Sequence, residues 1–488
     1  METLQRLHNR GSISTGYDVD YSCKFEHDNA ESLSRGQAQG SQQTWTFSTW
    51  IKRTQLSENS NEPYQNIWSA GSSTSNATHV YFRGDSSYPD NKLFFYMDNG
   101  GSQFWHGQTP QSFRDTSAWY HLVWAVDTTQ ATASNRSKIY INGEQITLDN
   151  VTYPNQNAST RVMDNGGDMY IGALAGNGGY RFNGYLAETV LIDGTQLAAS
   201  DFGEFDSDTG IWKPIDVSGL SFGTRGFYLD YSDAANLGND ADGSTVFTEN
   251  YLASADQATD TPTNNFATIN ILQSNSSKLI ISNGATDIVK SGNYGWQTTT
   301  ATMAVREGKW YAEFKLDTSC DLVMLGVNQI EDEVAWNGSH IGAYSNSTAR
   351  GMGYYSSNGN FYRNGGSGAI GSSYLAGDII GIALLINANG TGFMGMHKNG
   401  TWQNSQDPSS GTTGMLGLEY GNPIESGIHY TFAISTHQDA GGVLANFGGF
   451  PGFTISSGNS DANGYGNFEY TVPTGYYALC TKNLEEFA

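Results

Sequence analysis

The stretch Ser117-Ala-Trp-Tyr-His-Leu-Val-Trp-Ala-Val-Asp127, followed by Lys138-Ile-Tyr-Ile-Asn-Gly-Glu-Gln-Ile146, limits what this chain can fold into. Its first part alternates aromatic and apolar residues with others at period two. That pattern predicts a strand buried on one face. Its second part predicts a strand pair closed at Asn142-Gly143. Asn-Gly supplies the two positive-φ positions of a type I′ turn, whose twist suits a tight hairpin.

The same pattern recurs on both sides. Trp45-Thr-Phe-Ser-Thr-Trp-Ile51 lies upstream; Tyr170-Ile-Gly172 and Phe182-Asn-Gly-Tyr-Leu-Ala-Glu-Thr-Val-Leu-Ile192 lie downstream. Further strands are expected near 19–25, 64–70, 79–83, 92–97 and 103–106, separated by Gly/Asn/Asp/Ser clusters. Short strands at regular spacing argue for a sandwich or jelly roll. These motifs together resemble the centre of the concanavalin-A-like, laminin-G-like jelly roll, over about residues 19–215.

Composition supports an all-β reading. Charged residues make up only 15% of the 488, whereas there are 59 Gly and 28 Tyr. Such a mix favours strands and tight turns over long helices. The length predicts two to four domains at roughly 150 residues each. Acids outnumber bases 48 to 24, a formal net charge of −24. A polyanion is repelled by that field, so nucleic acid is not an expected partner. Three widely spaced cysteines, Cys23, Cys320 and Cys480, give neither a disulfide framework nor zinc spacing. Folding in a reducing cytoplasm is expected. The N-terminal Met1-Glu-Thr-Leu-Gln-Arg-Leu-His-Asn-Arg10 lacks the apolar segment of a secretory signal. No run approaches the roughly 18 apolar residues of a membrane span.

Four segments follow from these patterns: an N-terminal arm (1–18), a jelly roll (19–215), an irregular connector (216–268) and a second β-sandwich (269–488). Within the connector, Gly226-Phe-Tyr-Leu-Asp-Tyr-Ser-Asp233 and Asp260-Thr-Pro-Thr-Asn-Asn-Phe266 are similar to linkers in structural proteins of tailed phages and marine viruses. In the last segment, Gly308-Lys-Trp-Tyr-Ala-Glu-Phe314, Gly377-Asp-Ile-Ile-Gly-Ile382, Lys398-Asn-Gly-Thr-Trp402, Ala445-Asn-Phe-Gly448 and Pro473-Thr-Gly-Tyr476 follow one another in an order that resembles the SPRY fold. Many members carry an acid in the strand after Gly-Asp-x-Ile-Gly; here it reads Leu385-Ile-Asn-Ala-Asn-Gly390. The fold is therefore carried over without a ligand site.

Catalytic signals are weak. A retaining glucanase on this fold needs two carboxylates about 5–5.5 Å apart, which period two can supply. The nearest matches are Glu204-Phe-Asp-Ser-Asp208, in turn-rich sequence, and Glu331-Asp-Glu333. Gly365-Gly-Ser-Gly-Ala369 is a near miss for a nucleophile elbow outside any strand–elbow–helix setting. His121 reads as a structural histidine in a core strand. No enzyme activity is expected.

Binding signals are stronger. Trp105, Tyr153, Tyr180 and Tyr88 stand in or beside Asn/Gly-rich loops, where rings can stack on sugars and amides can meet hydroxyls. Tyr354, Tyr355 and Tyr362, with Phe361, form a comparable group, and SPRY-like domains bind partners through such loops. Rim packing or inter-subunit contact is the competing reading, since Tyr and Trp also dominate protein interfaces. The laminin-G resemblance implies a rim Ca²⁺, a hard cation that wants about six to eight oxygens. The candidates are Asp98 with Asn99, and Asp164 with Asn165 and Asp168, though these are also ordinary turn formers.

The expected function is that of a non-enzymatic phage virion structural protein: a tail fibre, an appendage or a capsid-surface protein. It would be assembled in the host cytoplasm and released by lysis. The arm would hold it to other virion proteins, its loops would bind host-surface glycan, and homo-oligomerisation, a trimer first, would cover exposed strand edges. The alternative is a carbohydrate-active enzyme or its glycan-binding accessory module.

Overall fold

In the computed structural model, residues 16–488 are described apart from 57–62, 86, 101, 177, 244–245, 275–277, 293–294, 318–321, 331–338, 344–350, 364, 419–428 and 438–441. The described residues are almost all strand and turn, and they form two compact units that divide between Thr263 and Asn264. The all-β expectation holds: each unit is built on two large sheets, and the N-terminal one adds a two-stranded sheet, Gly203–Phe205 with Trp212–Pro214.

In the N-terminal unit, sheet I runs in the order Glu144–Ile146, Ser137–Ile141, Trp119–Asp127, Thr44–Arg53, Gly184–Asp193, Ser22–Phe25, Gln257–Ala258, and Phe227–Leu229 also pairs with Gly184–Asp193. Sheet II runs Asp149–Thr152, Ser102–Gln108, Tyr88–Asn99, Asn76–Asp85, Tyr64–Ser73, Asp168–Ile171, Ser32–Gly36, Thr248–Asn250. The period-two residues of these strands meet between the sheets. Four indoles lie there, Trp45, Trp68, Trp105 and Trp124, all fully buried. Trp45 meets Trp124 edge-on at 5.1 Å, Trp105 stacks on Trp124 at 4.9 Å, and Phe47 stacks on Trp68 at 4.4 Å. Each such pair adds about 0.5–1.5 kcal/mol beyond its buried area.

Asn142 and Gly143 take φ of +48° and +84°, as a type I′ turn requires. The asparagine also extends the sheet. Its amide donates to the His121 carbonyl at 2.9 Å, and its Oδ1 accepts the His121 amide at 2.8 Å. Asn399 repeats the arrangement on Ile379 at 2.8 Å in both directions. The side-chain carbonyl thus acts as one more residue of strand.

Residues 216–263, read from sequence as connector, contribute three short strands, two to sheet I and one to sheet II. Buried charge holds this stretch down. Lys24 pairs with Asp256 and Glu31, each at 2.8 Å, and Lys52 pairs with Asp260 at 2.6 Å. Trp119 Nε1 donates to the other Asp260 oxygen at 3.0 Å, and Ser22 Oγ donates to the Asp260 carbonyl. Ammonium groups taken out of water on sheet I need counter-charges, and this stretch supplies them.

In the C-terminal unit, sheet III runs Leu279–Ser282, Asp287–Lys290, Gly442–Asn446, Gly308–Leu316, Ile379–Ile386, Gly392–Lys398, Thr401–Trp402. Sheet IV runs Gln297–Thr300, Tyr430–Thr436, Val323–Gln329, Gly351–Tyr355, Asn360–Arg363, Gly366–Ala369. Trp310, Phe314, Ile382 and Leu384 from sheet III meet Leu325, Val327 and Phe432 from sheet IV. An α-helix, Thr481–Phe487, follows the last strands. Lys, Leu and Glu favour helix there, and Leu484 and Phe487 pack on the core. Cys23 and Cys480 are fully buried free thiols, one in each unit. Burial pushes Cys480 up to about 12 and Cys23 well above the usual range. No helix among the described residues is long and apolar enough to cross a membrane.

Candidate functional site

The two faces of the N-terminal sandwich are used differently. On the outer face of sheet I, Val190, Ile192 and Val123 pack against Phe202, Val217, Phe222 and Tyr228 from the stretch after residue 193. His121 is buried there between the rings of Trp50 and Trp212. Trp212 Nε1 donates to its Nδ1 at 3.0 Å, so its Nε2–H donates to Ser48 Oγ at 2.9 Å. Desolvation lowers its pKa to about 3. A neutral imidazole that donates to the serine cannot serve as its base, so this Ser–His contact is structural.

Glu188 lies on the same sheet, in a bulge of the Gly184–Asp193 strand, with φ of +48°. The Tyr228 hydroxyl is 2.9 and 3.0 Å from its two oxygens, and the Tyr17 hydroxyl is 3.2 Å from one of them. Burial raises this carboxyl to about 8, and the nearby acids Asp230 and Asp216 add to the rise.

Sheet II carries aromatic and imidazole rings on its outer face. The register aligns Asn66, Tyr81, Phe94 and Gln108 in one row, and His79, Tyr96 and His106 in the next. Tyr81 stacks on Phe94 and on Tyr96 at 5.7 Å; His79 stacks on Tyr81 at 5.1 Å, and Tyr96 on His106 at 6.1 Å. Tyr64 and Tyr88 extend the group, edge-on to Tyr81 and Phe94. Arg83 lies over Tyr88 at 3.7 Å and pairs with Asp85 at 2.7 Å. Tyr88 and Tyr180 are exposed at 40% and 41%, Tyr64, Tyr96 and His106 are half-buried, and Asn66, His79, Tyr81 and Phe94 are buried. The half-buried Tyr64, Tyr96 and His106, with Gln108 beside them and Tyr88 and Tyr180 at the margins, offer what a sugar needs: ring surface for C–H groups and donors and acceptors for hydroxyls.

The residues predicted from sequence divide on this structure. Tyr180, with φ of +49°, meets Tyr64 edge-on at 5.1 Å, and its carbonyl accepts from the Asn66 amide at 2.8 Å. It belongs to the sheet II face, as does Tyr88. Tyr153 is half-buried and packs against the main core. Trp105 requires correction: it lies in the core beside Trp124, because the strand register turns it inward, and presents no face to a ligand. Tyr354 also requires correction. It is fully buried, donates to the Ser372 carbonyl and lies 4.8 Å from Tyr374. Tyr355 and Tyr362 are half-buried on sheet IV, 5.6 Å apart and perpendicular. Trp296 meets Tyr355 at 5.9 Å and His340 at 5.0 Å, and His340 meets Tyr362 at 5.5 Å. Four rings thus close a loop in the C-terminal unit.

The calcium candidates do not form one site. Asp164 pairs with Arg161 at 2.9 Å, and the same guanidinium reaches Asn99 Oδ1. A cation already sits where the two loops meet. Desolvation raises the Asp98 carboxyl, which disfavours the ionised form that a Ca²⁺ ligand needs. Asp168 is exposed, with its carbonyl bound by Gln37. Among the described residues no group of three His, Cys, Asp or Glu side chains is placed to hold a metal ion. Of the carboxylate pairs, Glu331 and Glu333 lie outside the described residues. Glu204 and Asp206 share Lys213, at 3.3 and 3.2 Å. Hydrogen bonds from Thr209, first, and from Lys213 hold Asp206 at about 2, unsuited to a general acid.

Sequence reasoning missed Tyr64, Tyr81, Phe94 and Tyr96 as a group. The usable signal was Tyr81-Phe-Arg83 beside Phe94-Phe-Tyr96, two strands aromatic at alternate positions on both faces.

A family model described as the concanavalin A-like lectin/glucanases superfamily, a laminin-G type, matches residues 26–199. No curated protein matches the chain. Solved SPRY domains are among its structural neighbours. The SPRY domain of human HERC1 is 16% identical, with 36% of this chain and 96% of that one covered and a TM-score of 0.27. A further human SPRY domain is 16% identical, with 34% and 94% covered and a TM-score of 0.25. The TRIM65 PSpry domain is 12% identical, with 37% and 91% covered and a TM-score of 0.27. The stretch matched by the lectin/glucanase model thus contains both the core indoles and the ring-bearing face of sheet II.

Proposed function

We propose that this chain is a non-enzymatic glycan-binding structural protein of a phage virion, and that its glycan surface is the outer face of sheet II. The observation that carries the reading is the set of partly exposed rings Tyr64, Tyr96 and His106, with Tyr88 and Tyr180 at its margins, held in place by the buried Tyr81, Phe94 and His79 beneath them. These rings are spread across adjacent strands of a unit matched by a lectin/glucanase model. Near-parallel rings held by register, with the half-buried Gln108 beside Phe94, favour recognition over chemistry. Two strongly perturbed acids, Glu188 and Glu313, are tied to tyrosine hydroxyls and backbone amides, and Asp206 to a lysine and backbone, which argues against glycoside cleavage. The virion assignment rests on the connector's similarity to phage and marine viral proteins. In this reading the N-terminal arm, of which residues 1–15 lie outside the described ones, joins other virion proteins. Three copies then associate, covering strand edges and multiplying weak sugar contacts.

A glycan array probed with the intact chain tests the surface. Binding to a defined set of glycans, lost in Tyr96→Ala, is expected; no binding, or binding indifferent to Tyr96, overturns it. Mass spectrometry of purified phage particles tests the location, and absence of the chain from particles refutes it. Release of reducing ends from a bound glycan would favour the enzyme instead.

A further inference from the structure

We propose that the N-terminal unit holds a second, acid-selective subsite, a pocket on Arg35 and Arg225 that receives the carboxylate of an acidic sugar. This deepens the glycan reading above and rests on it. A cavity of about 80 Å³ opens beside the Ser32–Gly36 strand, lined by Arg35, Gln37, Met163, Met169 and Arg225. Arg35 is fixed in place. Its guanidinium lies over Phe227 at 4.7 Å and Phe247 at 4.8 Å, and one amino group donates to the Arg225 carbonyl at 2.7 Å. Arg225 is exposed, and its Nε donates to the Gln39 carbonyl at 3.4 Å.

Neither guanidinium has an ion pair among the described residues, in a chain with 48 acids and 24 bases. The nearby acids are turned to backbone. Asp193 accepts from the amides of Ser41 and Arg225, and Asp240 from those of Tyr228 and Asp242. Burial lowers Arg35 to about 10; the nearby Asp240 charge opposes the fall and the like-charged Arg225 adds to it. Two guanidinium groups brought together, with Asp240 nearby but in an ion pair with neither among the described residues, attract an anion, and their forks suit a carboxylate.

The walls define the anion further. Gln37 is fully committed: its Nε2 donates to the carbonyls of Arg161 and Asp168, and its Oε1 accepts the Met163 amide. The remaining wall is two buried methionines, soft and apolar, suited to a carbon stem. The cavity has ample room for a carboxylate and its neighbouring carbon. The pocket therefore reads one acidic group on a saccharide.

Ligand-observed NMR titration of the intact chain with galacturonate, galactose and inorganic phosphate tests this at low salt. Galacturonate should bind at least tenfold more tightly than galactose. Arg225→Gln, a change at an exposed position, should abolish that preference. Arg35→Lys, which keeps the charge and loses the fork, should weaken it severalfold. If galacturonate binds no better than galactose, if phosphate competes as well as galacturonate, or if Arg225→Gln changes nothing, the subsite is wrong, and sheet II stands or falls on the array. If galacturonate binds as expected while no array glycan depends on Tyr96, the subsite stands and the sheet II reading fails.

Discussion

The two outer faces of the N-terminal sandwich share one core and have opposite fates. Sheet I is roofed by the chain that follows it, and its polar groups, Lys24, Lys52, His121 and Glu188, are each matched by a buried partner. Sheet II sets tyrosines and imidazoles in rows whose margins, Tyr88 and Tyr180, are exposed. The C-terminal unit repeats the contrast. Sheet III is covered by Phe468, Val472 and Tyr476, while sheet IV bears the Trp296–His340–Tyr362–Tyr355 ring loop. A buried polar group specifies a fold; a half-buried ring held in register is available to a partner.

Substitutions on sheet I should cost stability and leave binding alone. The largest effect is expected for Asp260→Ala, which leaves the Lys52 ammonium buried without its 2.6 Å partner and frees Trp119 Nε1. A loss of about 3–5 kcal/mol is expected in urea unfolding, with sugar affinity per folded molecule unchanged. An equal loss of both would break the contrast between the faces.

Next comes pH. The folded chain holds a proton on Glu188 up to about pH 8, whereas the unfolded chain releases it near the ordinary value of about 4.3. Stability from this site is therefore complete below that ordinary value and is lost as pH rises towards 8, at up to about 1.4 kcal/mol per pH unit. Denaturation midpoints measured from pH 5 to 8 should fall less steeply in Glu188→Gln. Glu313 in the C-terminal unit, raised by burial to about 7, contributes in the same direction.

Tyr96→Ala should act the other way round. It removes a half-buried ring, so stability should fall by about 1 kcal/mol, near the centre of the range for point mutants. Glycan affinity should fall at least tenfold, about 1.4 kcal/mol. The smallest effect is expected for Tyr362→Ala on sheet IV, below about 1 kcal/mol in stability. Any loss of affinity there, read on the same array, would show that both units bind.

Much of the fold was legible because one-sided burial writes a period of two into a strand. Trp119–Asp127 and Asp168–Ile171 appear as expected, and Asn142-Gly143 closes its hairpin. The candidate site was less legible. Phe94-Phe-Tyr-Met97 is apolar on both faces, so no alternation marks which ring points outward; pairing with Asn76–Asp85 decides it. Trp105 looked like a loop aromatic for the same reason. The arginine that cancels the Asp164 calcium reading stands three residues earlier and was readable. Arg35 and Arg225 are 190 residues apart, and nothing short of the folded sheet joins them.

The two sealed thiols give each unit its own alarm. A thiol reacts as its thiolate, so Cys23 and Cys480 should ignore a maleimide while their surroundings stay closed. With Cys320 changed to serine, timed alkylation and peptide mapping of this one chain would record separately when the N-terminal and the C-terminal sandwich opens.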